Sequence, residues 1–252
     1  MLRSRDRSGA YLISLCTGTA LVGMFFFLTL FIQDVWGYSP LKTAAAYLPF
    51  VPAVLAMTAV AQQGVSRIGA RPLLIASSAV AAGGMVWLSR LTEHSTYAGG
   101  MLGPELLLGA GLGPLFVLIF LVGLIKVNPG DTGVASGLVN VGQQVGGAIG
   151  LAIVGTVAWT AVDSSLRSAA AAAAAAAQAG AHPTAAQAAA LQAQAYHHAL
   201  AAGFSRGYLI SAGVLVLPLV IALFVMRVSR ADLAGAEPAP EPAGDASSPG
   251  PA

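Results

Sequence analysis

Long apolar runs dominate the chain, and their lengths set the first expectation. A helix that crosses a bilayer needs about 20 mostly apolar residues. Six stretches meet that length, at roughly 10–32, 44–65, 73–91, 98–125, 132–160 and 205–227. Two regions break the pattern. Residues 161–203 hold an Ala-rich tract in which alanine favours helix but inserts weakly, and Gln, His and Pro count against a span. External helical segments that break near Gly180–Pro183 are expected there. Residues 229–252 are rich in Pro and Ala and acidic, which predicts a disordered cytoplasmic tail.

Composition identifies the solvent. Of 252 residues, 56% are hydrophobic and only 9% charged, with a mean hydropathy of +0.76. Soluble domains carry about 25% charged residues, so this chain cannot clothe itself in a polar surface. The expected class is an all-α integral membrane protein with six transmembrane helices. A net charge of +2 leaves no nucleic-acid footprint. The single cysteine, Cys16, can form no intrachain disulfide and reads as a small apolar filler. Residues 1–9 are basic like the start of a signal peptide, but the apolar run that follows is too long for one. They read as the cytoplasmic flank of the first span.

Charge sets the orientation. With the N-terminus inside, Arg3, Arg5, Arg7, Arg67, Arg71, Lys126, Arg227 and Arg230 fall on the cytoplasmic side. Lys42, Arg90, Arg167 and Arg206 fall outside. This excess predicts a multi-pass protein of the cell membrane with both termini cytoplasmic.

The fifth stretch carries the most unusual polar pattern, GLVNVGQQVGGAIG at 137–150. Each helical residue advances about 100°. With Asn140 as zero, Ser136 falls at about −40°, Gln143 at about −60°, Gln144 at about +40° and Gly147 at about −20°. The amides thus share one stripe, with Gly133 and Gly137 beside it and Leu138, Val145, Ile149 and Ile153 opposite. A second ridge, Gly142, Gly146 and Gly150, has the spacing that lets two helices approach closely. The amides can be glue between helices, worth about 0.6 kcal/mol each. They can also wall a cavity that holds water or ligand, because unsatisfied amides are costly in lipid.

Glu105 lies inside the fourth stretch. An intramembrane carboxylate is a candidate proton carrier, although Pro104 also suits a helix start at the outer interface. Asp34 and Asp163 read as interfacial. Gly109, Gly111, Gly113 and Pro114 make the fourth span deformable, and Gly109 with Gly113 forms a GxxxG packing pair. The inner loop QQGVSRIGARP places Gly64, Arg67, Gly69 and Arg71 at a tight turn, where guanidiniums can hold helix C-terminal carbonyls. His197 and His198 are adjacent and point to different faces, so a metal pair is not expected. The intramembrane polar residues form no nucleophile–base set, no metal spacing and no nucleotide-binding loop, so neither an enzyme nor a cofactor is expected.

These residues resemble a known family. The stretch at 137–150 is similar to the penultimate helix of EmrB/QacA-type drug:proton antiporters of the major facilitator superfamily. FLTLFIQDVWGYSPLKTAAAYLP (27–49) resembles the end of their seventh core helix and the following outer loop. SRIGARPLL (66–74) resembles the short basic loop after the eighth, and ALAAGFSRGYLISAG (199–213) the start of the last. The resemblance covers nearly all of 10–228 apart from the Ala-rich insert. There are two departures. Only one six-helix half matches, without the preceding half's antiporter motif, and Ser66 stands where the superfamily's inner-loop motif has an aspartate.

The resemblance implies the C-terminal half of a carrier with a substrate path between two halves. Asn140, Gln143, Gln144 and Ser136 would face that path. Gln33 and Phe26, with the Phe25–Phe27 cluster, would line its outer part. The implied cargo is a cationic or amphipathic drug exchanged for protons, and the implied partner is a preceding half or a second copy. The alternative is a membrane anchor or assembly subunit that uses its glycine ridges to bind a partner without transporting anything.

Overall fold

The computed structural model describes residues 5–125, 127, 129–180 and 183–225. Arg3, Lys126, Arg227, Arg230 and the tail 229–252 lie outside the described residues. Among those described there is no strand. The helices are α1 (Arg5–Leu30), α2 (Pro40–Ala46), α3 (Phe50–Ile68), α4 (Ala70–Leu88), α5 (Leu102–Leu124), α6 (Thr132–Gln178) and α7 (Ala185–Phe224). They make six helical units long and apolar enough to cross a membrane, with α2 and α3 sharing one unit.

Glycine decides how close these helices come. α1 and α6 run parallel, and the ridge of α6 meets α1 in rising register. A Cβ added at Gly142 would lie 2.3 Å from Ser14 Oγ, at Gly146 2.0 Å from the Leu15 carbonyl oxygen, and at Gly150 2.4 Å from Thr19 Cγ2. In return, one at Gly18 would lie 2.1 Å from the Gln143 carbonyl oxygen. The buried Thr19 hydroxyl donates to the Gly146 carbonyl at 2.7 Å across the same seam. α5 is packed on two sides. Gly109 and Gly113 face α3, where added Cβ atoms would come within 2.9 Å of Ala53 Cβ and 2.6 Å of the Val54 carbonyl. Gly111 faces α4, 2.4 Å from the Ala81 nitrogen. α7 closes the bundle against α4, α6 and α1.

The loop expected between the second and third spans is almost entirely helical. Only Gly69 separates α3 from α4, at φ +88°, a conformation that disfavours any side chain. Arg71 reaches across to α7, where its Nε donates to the Ala222 carbonyl at 2.9 Å and its Nη2 to the Leu223 carbonyl. These carbonyls lie in the last turn of α7 (Ala185–Phe224), so the guanidinium meets the negative end of the helix dipole. Arg67 is exposed, and Gly64 packs beside Leu73.

The second span is not one regular helix. Pro49 has no N–H to offer, and bonds from Tyr47 to Ala44, Leu48 to Ala45, Phe50 to Tyr47 and Val51 to Leu48 tighten the chain between α2 and α3. The Ala46 carbonyl loses its helical donor and is capped instead by the Tyr97 hydroxyl at 3.0 Å. Replacing Tyr97 with phenylalanine should therefore lower stability by about 1 kcal/mol. Unfolding in mixed detergent measures it, and an unchanged midpoint would show that the cap is idle.

The Ala-rich tract does not form separate segments after the fifth span. α6 runs unbroken to Gln178 and α7 begins at Ala185 behind a Thr184–Gln187 capping box, with Gly180 at φ +90° in the turn. Alanine, the best helix former, has no reason to stop at the end of a span.

Candidate functional site

α6 presents two surfaces side by side. Its glycine ridge packs on α1, with Gly146 and Gly150 buried and Gly142 half-buried, whereas Asn140 and Gln144 are exposed and Ser136 and Gln143 are half-buried. Ser136 donates back to the Gly133 carbonyl at 3.0 Å. Gln143 stands at the border, where its backbone touches Gly18 and its Nε2 is buried with no hydrogen-bond partner. A buried donor left unpaired is costly, so this amide is poised to accept a polar partner. Gly133 and Gly137 face open space, while Gly147 belongs to the seam, since a Cβ there would lie 2.7 Å from Val22 Cγ2.

Val22 leads to the second part of the site. With Leu21, Phe25, Phe26, Thr29 and Leu30 it lines an open groove of about 460 Å³ along α1. Val22 thus joins the groove on α1 to the seam at Gly147, one turn from Gln143 and Gln144 on α6. Phe26 is 42% exposed at the groove, whereas Phe27 is fully buried against Phe204, with ring centroids 5.3 Å apart. One helical step turns a side chain by about 100°, which removes Phe27 from the wall the aromatic cluster was expected to form. Gln33 lies beyond the groove, half-buried in a π-helical turn, Phe31–Val35, that ends α1.

Glu105 is only 1% exposed, and both of its carboxyl oxygens are buried without a hydrogen-bond partner. A π-helical turn, Tyr97–Met101, precedes α5, so Glu105 lies about two helical turns from the start of this unit. Glu105 sits one turn before Gly109 on the face that meets α3, beside Tyr47 and Phe50. The Tyr47 hydroxyl is 2.9 Å from Thr29 Oγ1, at the groove. Sequence reasoning missed Tyr47 and Thr29, although Pro49 in YLPF already marked a break.

One end of the bundle carries a polar contact. Ser205 of α7 donates to the Ser89 carbonyl, and His198 Nδ1 lies 2.9 Å from Glu93 Oε1. Glu93 and His94 share a surface hollow with His197 and His198, but no group of three metal-binding side chains occurs among the described residues. Burial pushes the Glu93 carboxyl up, but its own backbone N–H and His198 outweigh this and hold it below the usual glutamate value. Because the folded value is the lower one, the contact contributes stability above the ordinary glutamate range and loses it as pH falls through the folded value. The Tm gap between wild type and Glu93→Gln should be small, worth under about 1 kcal/mol, and should close on acidification. A gap that widens in acid would reverse this assignment.

Known proteins match part of the chain. It is 42% identical over 150 residues to the cephamycin export protein of Amycolatopsis lactamdurans, covering 58% of this chain and 30% of that protein. It is 32% identical over 157 residues to the puromycin resistance protein of Streptomyces alboniger, covering 61% and 31%. With a multidrug resistance protein of Mycobacterium tuberculosis it shares 34% identity over 159 residues, covering 62% and 29%. The chain thus spans less than a third of the length of these relatives. The family model described as Major Facilitator Superfamily matches residues 2–151, well over half the chain, and with six membrane-capable helices around a glycine-packed core, this chain belongs to that superfamily.

Proposed function

We propose that the chain is the C-terminal half of a proton-coupled multidrug efflux carrier, working by alternating access in the cell membrane with both termini cytoplasmic. The observation that carries this reading is an α6 surface with Asn140 and Gln144 exposed and Gln143 Nε2 unpartnered, beside an open groove on α1 lined by Phe26. Amides and an aromatic wall suit an amphipathic or cationic drug, held by hydrogen bonds and by ring faces. Gln33 and Ser136 extend the same lining outward and inward. The relatives named for cephamycin export, puromycin resistance and multidrug resistance support a drug-like cargo. The short coverage of those relatives supports a unit that works against another six-helix half.

A chimera tests it. Residues 5–160 replace the matching segment of the cephamycin exporter, and cells lacking their own exporters are loaded with a fluorescent cationic drug. The chimera should lower drug accumulation as the intact exporter does, while the 252-residue chain alone should leave it unchanged. Efflux by the chain alone would overturn the half-carrier reading, and an inert chimera that folds and reaches the membrane would overturn the transport reading.

A further inference from the structure

We propose that the groove on α1 takes an uncharged aromatic ring bearing a carbonyl oxygen, that Thr29 selects the carbonyl, and that Tyr47 is the residue that positions Thr29. This deepens the carrier reading and rests on it only for the occupant's being cargo. At about 460 Å³ the groove falls in the range that takes a drug-sized molecule. Of its six lining residues only Thr29 is polar, and none is ionisable. A charged group brought in from water would find no counter-ion there, so the groove suits the uncharged end of an amphipathic molecule. Phe26 supplies a ring face. It is 42% exposed, and Phe27 stands perpendicular to it with ring centroids 5.2 Å apart. A perpendicular neighbour covers at most one face of a ring, which leaves the other for stacking. Phe25 is instead fixed from behind, by Tyr47 at 5.0 Å and Phe50 at 5.4 Å between ring centroids. The break between α2 and α3 thus sets one wall of the groove.

The same break sets the Thr29 hydroxyl. Thr17, Thr156 and Thr160 each donate to the carbonyl four residues earlier in their own helix. For Thr29 that carbonyl belongs to Phe25, and the Tyr47 hydroxyl approaches it at 3.5 Å. The Thr29 oxygen lies closer to the same hydroxyl, at 2.9 Å. A hydroxyl has one hydrogen to give and two lone pairs that accept. Tyr47 gives its hydrogen to Thr29 over the shorter distance, and the Thr29 hydrogen is left for the groove. A carbonyl oxygen, which only accepts, is its natural partner. The acyl chain of a lipid would cover the apolar lining as well, but it would leave this hydrogen unpaired. That difference favours a carbonyl-bearing ring over a lipid tail.

The test uses the 252-residue chain in lipid vesicles and two probes, fluorenone and fluorene, which differ by a carbonyl in place of a methylene. Retention of each probe is compared between vesicles with and without the chain, so partitioning into lipid cancels. Fluorenone should bind about 2–10-fold more tightly than fluorene, the span of one neutral hydrogen bond. Thr29→Val should bring this ratio to one by weakening fluorenone alone, and Thr29→Ser should preserve it. Tyr47→Phe keeps the ring contacts but lets the Thr29 hydroxyl return to the Phe25 carbonyl. It should also bring the ratio to one, and adding it to Thr29→Val should change nothing further. A merely structural role would weaken both probes together and so defeat the assignment. Equal affinities in the wild type, or a ratio that survives Thr29→Val, would overturn the proposal, and a ratio that survives Tyr47→Phe would overturn the positioning role. No retention beyond that of empty vesicles would mean that lipid tails hold the groove, which also overturns it. None of these measurements needs transport or a partner half. An inert chimera beside a discriminating chain therefore defeats the carrier reading alone, and an exporting chimera beside a chain that does not discriminate defeats this one alone.

Discussion

Valine at position 146 is expected to break the α1–α6 seam. The added Cβ would sit 2.0 Å from the Leu15 carbonyl oxygen and 2.8 Å from its Cα, so it meets backbone rather than a side chain that can swing aside. The helices must separate or slide, and the buried bond from Thr19 to the Gly146 carbonyl goes with them. Overpacking of this kind costs about 1–3 kcal/mol, and more where backbone must move. We expect at least the upper end, read as loss of the folded fraction in mixed-detergent unfolding. Gly137→Val is the matched control. It lies on the same helix and faces open space, so it should change stability by less than about 0.5 kcal/mol. If the two substitutions cost the same, helix propensity rather than close approach explains the glycines.

The second large effect is expected at the amide stripe. In the chimera, Asn140→Leu with Gln144→Leu should raise drug accumulation to that of cells without exporter while leaving the amount of folded carrier unchanged. Both amides are exposed, so leucine leaves no protein group stranded. Each hydrogen bond lost to a cargo is worth about 0.5–1.5 kcal/mol, which for two amides is about 10–100-fold in affinity. If the amides are glue, the outcome reverses. Stability falls by about 0.6 kcal/mol per amide, and export persists as long as the protein folds.

Much of the architecture was readable from apolar run length, since a chain in lipid must satisfy its backbone within helices. The Gly142–Gly146–Gly150 ridge could be placed on one face by spacing alone, and that face is the one that meets α1. The clamp from Arg71 to the end of α7 follows from a cation near helix carbonyls, though only coordinates say which helix it holds. What stayed hidden depends on contacts between distant segments. Which way Glu105 faces, buried against α3, depends on how α3 and α5 pack, which apolar counting cannot see. The Tyr97–Ala46 cap joins residues 51 positions apart. Phe27 differs from Phe26 only by one helical step, and which of the two is buried depends on where Phe204 of α7 arrives.

The continuation of α6 and α7 past the bundle also has a practical use. Small membrane proteins are hard to image because little protein shows outside the detergent belt, so particles cannot be aligned. From 161 to Gln178, α6 adds about 27 Å of rod at 1.5 Å per residue, and α7 returns from Ala185 with an exposed surface. A rigid binding protein grafted at the Gly180 turn, or raised against it, would give a 25.2 kDa chain the orientation marker that averaging requires.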